Sequence, residues 1–345
     1  MKIDWRGGLG IVLSAGLLWW VFHRIPYAEV WATLRNANVA LLIASSAVAT
    51  FCFPLRARRW RTILDPVSPH LPLGQLWRAT AIGMMVNNVV PARAGEIARA
   101  YALTREAPQV PMSTSLASLA VDRVFDAVIV LLLMVGAMLL PSFPHGVHVA
   151  GLSVARAALA GAAAVAALLA LLYAIVFFPE WLIGAYQGIA RRIAPRLVEP
   201  GSAALGHFAT GLSVLRNPAR FAGVFGWALA FWLCNAFGFY LGFVAVGLHL
   251  PFTTALFLQG LIALGIAVPA APGFFGVFEA FAVLGLGLYG IAQPEAVAWA
   301  IAYHIVSFLP ITVIGAWYFL RLGLHLRDVE AGGAEAGGAE AEAAA

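Results

Sequence analysis

NNVVPARAGEIARAY, residues 87–101, decides how this chain is folded. It breaks an apolar run with two amides, a proline, two arginines and a glutamate. The chain around it is 62% hydrophobic and only 11% charged, with a mean hydropathy of +0.88. Soluble domains carry about 25% charged residues. Apolar runs recur that are long enough for a ~30 Å hydrocarbon core, which takes about 20 helical residues. Alternating segments of about ten residues, the mark of a transmembrane barrel, are absent. The composition specifies an all-α polytopic membrane protein.

Full-length apolar segments fall near residues 8–23, 38–55, 113–140, 153–178, 219–248 and 295–320, giving about six transmembrane helices. The first reads as a retained helix, because no small-residue cleavage site follows and Trp19 and Trp20 resemble an interfacial belt. Two further segments, about 75–105 and 252–290, are apolar for a marginal length and then break, at Pro91 and at PAAPGFFG (269–276). Both suit re-entrant helix pairs. The distribution of positive charge supports this division. With a cytoplasmic N-terminus, 17 of the 21 Lys and Arg lie inside; Arg24, Arg35 and Arg156 lie outside and Arg123 within a span. A complete crossing at 75–90 would spoil that bias. Both termini are expected in the cytoplasm, in a multi-pass protein of the cell (inner or plasma) membrane.

The two re-entrant pairs then enter from opposite sides. The chain reads as inverted halves, about 1–140 and 153–320, within a membrane domain of 1–327. Transporters use such an arrangement, with broken helices meeting near the bilayer midplane. A weak internal match, PARAGE (91–96) against PGFFGVFE (272–279), coincides with both breaks. Residues 328–345, an acidic Ala/Gly/Glu tract, are expected to be disordered.

Three polar constellations stand out. At the first break Pro91 ends a helical arm. Asn87 and Asn88 can satisfy exposed backbone or bind a polar ligand, and Arg93, Glu96 and Arg99 follow on a restarted helix. The plainer alternative is an amphipathic helix returning to the interface. The second is VDRVFDAV (121–128), with Asp122 and Asp126 on one helical face and Arg123 between them. Intramembrane ions are costly and mark pathways or pairs. The cluster therefore either lines a route, with Arg123 on a carboxylate or a lipid phosphate, or clamps helices together. The third, PAAPGFFGVFEAF (269–281), offers Pro272, Gly273 and Gly276 as open backbone and Glu279 as a lone carboxylate. Glu279 can carry a coupled proton, pair with an arginine of the other half, or hydrogen-bond a neighbouring helix.

A basic run, RARRW (56–60), puts Arg56 and Arg59 where anionic inner-leaflet headgroups are contacted, or simply obeys the charge rule. Cys52 and Cys234 read as small core residues. No metal-ligand spacing, phosphate loop or Ser-centred elbow occurs. No cofactor is indicated, and the basic clusters are too short for a nucleic-acid surface.

Together, Asn87 to Pro91 with Arg93, Gly95, Glu96 and Arg99, then VDRVFD (121–126), then PGFFGVFE (272–279) resemble the lysylphosphatidylglycerol synthase transmembrane-region family, described as flippase-like. The resemblance covers about 5–322. It implies translocation of an amphipathic lipid (a phospholipid, glycolipid or polyprenyl/hopanoid-type lipid) through a polar cavity, with lipid-biosynthesis enzymes as possible partners. The namesake members carry a soluble aminoacyl-transferase domain after the membrane region, and the chain is expected to lack it. It is therefore expected not to be an enzyme. The alternatives are a membrane-embedded lipid-modifying enzyme, with Glu96 or Glu279 as general base, and a non-catalytic component of a lipid-biosynthesis complex.

Overall fold

The computed structural model describes residues 5–325, apart from 24, 91–93, 145, 147, 150–151, 196–197, 200, 203–205, 207–215 and 268–270. Arg93 and the tail from 328 lie outside the described residues. The described chain forms twelve helices: α1 (Trp5–Phe22), α2 (Tyr27–Arg35), α3 (Val39–Leu64), α4 (Leu73–Val89), α5 (Gly95–Glu106), α6 (Met112–Met138), α7 (Val154–Phe177), α8 (Pro179–Ile193), α9 (Pro218–Ala245), α10 (Phe252–Ile266), α11 (Val277–Leu288) and α12 (Gln293–Arg321). A minimal antiparallel pair, His148–Val149 with Leu152–Ser153, precedes α7.

Local chemistry sets the boundaries. The Asn38 side chain accepts from Leu41 N at 3.1 Å to start α3. Asn217 accepts from Ala219 N and Arg220 N to start α9, with Pro218 at its first turn, where no amide is missed. Val90, which precedes Pro91, is extended at φ −106°, ψ 134°, the conformation favoured before proline.

All six expected full-length segments are helical. Segments within α3, α7, α9 and α12 are long and apolar enough to cross a membrane, and α1 joins α2 at a bend of 87°. At 27 residues α6 is as long as these, but Asp122, Arg123 and Asp126 interrupt its apolar surface. The two interrupted segments fold as helical hairpins. In the first, Arg78 near the start of α4 pairs with Glu106 at the end of α5, while Asn87 meets Gly95 beside the break. In the second, Gly265 lies against Phe281, and Gly285 against Leu258. At 1.5 Å per residue, a helix of α4's length covers roughly 25 Å, short of a full hydrocarbon core.

Two large apolar clusters hold the bundle. One gathers Trp60, Leu64, Leu76, Ile82, Leu103 and Leu119 around the first hairpin. The other gathers Phe239, Phe243, Leu258, Leu286, Trp299 and Tyr303 around the second. Helices α3 and α9 join them, with the Ser45 hydroxyl donating to Gly238 O at 2.8 Å. Helix α1 crosses to the second half, where Ser14 Oγ accepts from Ala271 N at 2.8 Å. Helix α4 packs against the tight turn Pro272–Phe274, so the two breaks lie together.

The first hairpin closes on glycine. A Cβ on Gly83 would sit 2.6 Å from Gly95 O, and one on Gly95 would collide with the Gly83 carbonyl and the Asn87 side chain. Overpacking of this kind costs about 1–3 kcal/mol. Gly95→Ala is expected to lower the melting temperature of the detergent-solubilised protein by several degrees. Gly226→Ala, whose Cβ meets nothing within 4 Å, is expected to leave it unchanged.

Candidate functional site

Asp122 and Asp126 are one turn apart on α6, and both turn inward, at 0% and 6% exposure. Burial of two carboxylates requires cations, and α3 supplies them with the same spacing logic. Arg59 donates to Asp122 at 2.6 Å and to Asp126 at 2.8 Å. Arg56 lies 3.4 Å from Asp122 and 3.0 Å from Asp126. Arg56 and Arg59, whose position suits either headgroup contact or the charge rule alone, are buried in this network. Their carboxylate partners sit 63 to 70 residues away, and a membrane-buried carboxylate holds a guanidinium far more strongly than an open interface does.

Helix α5 extends the network. Arg99 lies 3.3 Å from Asp122 and stacks over Trp60, 4.1 Å from its ring centre, a cation–π contact. Trp60 is itself fixed by donating from Nε1 to Ser118 Oγ at 2.8 Å. Glu96 pairs with Arg123 and stands 4.0 Å from Arg99. Arg123 also reaches Asp126 at 3.4 Å, and Trp232 of α9 donates to Asp126 at 3.1 Å. Arg123 is the open member, its side chain 46% exposed.

The second break is built around another buried pair. Glu279 accepts from Gly276 N at 2.7 Å, closing the first turn of α11 on itself. Its other oxygen lies 2.6 Å from His304 Nδ1, and His304 Nε2 lies 2.9 Å from Gly273 O. The imidazole is packed between Phe275 and Phe278, with ring centres 4.6 and 4.5 Å away. Gly273 and Gly276 have φ of +67° and +86°, a backbone region that favours glycine. Of the three roles open to Glu279, the structure displays the helix contact, with His304 rather than an arginine as partner.

Between the breaks lies a cavity of about 270 Å³. Asn87, Asn88 and Arg123 line it, as do Arg56, Gly273 and His304. Asn87 Oδ1 accepts from Gly95 N at 2.9 Å across the first break, and Asn88 donates to Thr312 of α12 at 2.6 Å. Pro272 and Gly276 shape the facing turn without lining the cavity. Sequence reasoning missed His304, Asn235, Gln259, Tyr303 and Trp232, which also line it. An isolated amide in an apolar helix is a usable signal, and Asn235 and Gln259 each supply one.

The buried ions give a sharp expectation. Removing one partner of a buried pair costs about 3–5 kcal/mol. Asp122→Ala is expected to lower thermal stability severely, because Arg56, Arg59 and Arg99 all lose a partner. Arg123→Ala, at the open edge, is expected to shift the melting temperature only slightly. His304→Ala leaves a Glu279 oxygen without its partner and is expected to cost about 1.5–3 kcal/mol, read in the same melts.

The family described as Lysylphosphatidylglycerol synthase TM region matches residues 8–315. Two UPF0104 membrane proteins of Methanothermobacter thermautotrophicus are similar along most of both chains. One is 21% identical, covering 90% of this chain and 94% of the relative; the other is 24% identical, covering 84% and 85%. A shorter match, 36% identical over 117 residues, joins 34% of this chain to 19% of the glycosyltransferase AglD of Haloferax volcanii. Matched along nearly all of its described length, this multi-pass membrane protein belongs to the lysylphosphatidylglycerol synthase TM-region family.

Proposed function

We propose that the protein moves an amphipathic lipid between leaflets, its headgroup passing through the cavity between the two broken helices while its chains stay in the bilayer. The observation that carries this reading is the meeting of two polar breaks, one from each half, around a shared cavity lined by Arg56, Asn87, Asn88 and Arg123. Non-helical backbone at membrane depth is tolerated where it is buried in protein or faces a watery cavity. Both hairpins are short, fold back on close glycine contacts and point their breaks at each other, which suits an inverted repeat with alternating access. In this reading the α4–α5 hairpin opens to the cytoplasm, the α10–α11 hairpin opens to the opposite side, and both termini are cytoplasmic.

The enzymatic alternative fares less well. A general base must reach the proton it takes. Neither Glu96 nor Glu279 lines the cavity, and each is turned to a protein partner, Glu96 to Arg123 and Glu279 to Gly276 and His304. The partial match to a glycosyltransferase is the reason to watch for lipid conversion in any assay.

A leaflet-resolved assay in proteoliposomes, with headgroup-labelled lipids and an impermeant quencher, tests the proposal. The full chain is expected to accelerate translocation. Arg123→Gln is expected to slow it about tenfold, equivalent to about 1.4 kcal/mol on the barrier, without loss of folded protein. An unchanged rate in that variant would overturn the assignment of the cavity. A mass change in the lipid would favour the enzyme.

A further inference from the structure

The charged residues lining the cavity are of one sign, and that sign points to a class of headgroup. Building on the translocation reading, we propose that it is a site for an anionic phosphate group, carried by a lipid head that has no compensating cation.

Among the described residues, the charged groups lining the cavity are Arg56 and Arg123, with no aspartate or glutamate. Asp122, Asp126 and Glu96, which pair with these arginines, lie outside its lining. The described network as a whole counts four guanidiniums (Arg56, Arg59, Arg99 and Arg123) against three carboxylates, leaving one positive charge. In surroundings of low dielectric such an excess is worth far more than at a wet surface, and a bound anion would balance it.

The neutral groups repeat the pattern. Gln259 and Tyr303 both line the cavity and are both only 2% exposed. Gln259 Nε2 and the Tyr303 hydroxyl have no hydrogen-bond partner. Asn235 Nδ2 donates to Gln259 Oε1 at 3.1 Å, which holds the amide in place. If both amides are reversed, the pair still leaves one amide NH₂ free. Buried donors are ordinarily satisfied, so two at one cavity point to an acceptor-rich ligand. The carbonyl oxygen of Gly273, which could have received a cationic head, is already met by His304.

A fully ionised phosphate has several acceptor oxygens and no donor, and guanidinium geometry matches it. At about 270 Å³ the cavity equals the liquid volume of roughly nine waters. That is room for a phosphate ester and its first carbons, not for acyl chains. The donors come from α3 (Arg56), α6 (Arg123), α10 (Gln259) and α12 (Tyr303), two helices from each half, so binding would bridge the parts that must move.

Calorimetric titration of the purified full chain in neutral detergent tests the site. The ligands are dioctanoyl phosphatidic acid, dioctanoyl phosphatidylcholine, dioctanoylglycerol and inorganic phosphate. Phosphatidic acid is expected to bind at least about tenfold more tightly than the choline ester or the glycerol. Gln259→Leu and Tyr303→Phe are each expected to weaken it about tenfold; Tyr303→Phe removes only a hydroxyl and keeps the fold. Equal affinity for the three lipids, or unaltered affinity in both variants, overturns the proposal. Inorganic phosphate binding as tightly as phosphatidic acid overturns the lipid half of it and assigns the site to the free ion. The leaflet assay with long-chain lipids of the same headgroups separates this proposal from the translocation reading. Translocation without headgroup preference overturns the phosphate site and leaves transport standing. Selective binding without translocation of any lipid does the reverse.

Discussion

Two aspartates held inside an apolar bundle impose the constraint from which the rest of this structure follows. Ionised carboxylates cannot be left alone in such surroundings, so α6 must lie where α3 and α5 can bring arginines to it. Arg56 and Arg59 come from one side, Arg99 from the other, and Arg123 closes the edge toward Glu96. The same requirement seats the first hairpin, because Arg99 reaches Asp122 only if α5 folds back beside α4. Gly83 and Gly95 permit that fold by letting the two helices touch at the backbone. A network of this kind adds little net stability compared with apolar packing. What it contributes is register: few other arrangements of three helices bring an arginine to every buried carboxylate.

The breaks were legible because proline and glycine act locally. Val90 is extended for the reason its neighbour Pro91 dictates, and Gly273 and Gly276 adopt the positive φ that their residue type allows. The inward turn of Asp122 and Asp126 was also legible from their four-residue spacing in an apolar helix. The carboxylate partners of Arg56 and Arg59 were not legible, because arginines at the end of a span look alike whether they meet headgroups or carboxylates. Only the partners 63 to 70 residues away distinguish the cases, and no local pattern encodes them. His304 was missed for the same reason, its partner Glu279 lying 25 residues before it. Gln259 and Asn235 were different: lone amides in apolar helices were visible, yet their mutual hydrogen bond was not.

The two breaks are maintained by different means. At the first, an amide side chain spans the gap, with Asn87 meeting the amide of Gly95. At the second, a carboxylate and an imidazole tie the turn from both ends, through Gly276 and Gly273. Two broken hairpins in one bundle therefore need not share their chemistry. One tip carries a neutral brace beside a cationic cluster, and the other a compact polar latch among aromatic rings.

The reach of α1 into the second half bears on how the protein is made. Ser14 finds the amide of Ala271 only after 257 further residues have been synthesised. At about 5–20 residues per second, α1 waits roughly ten to fifty seconds for the turn it clasps. Meanwhile it must sit in the bilayer against lipid. The clasp on α1 is thus available to the second break before its own latch, because His304 of α12, which meets Gly273 and Glu279, is made later still.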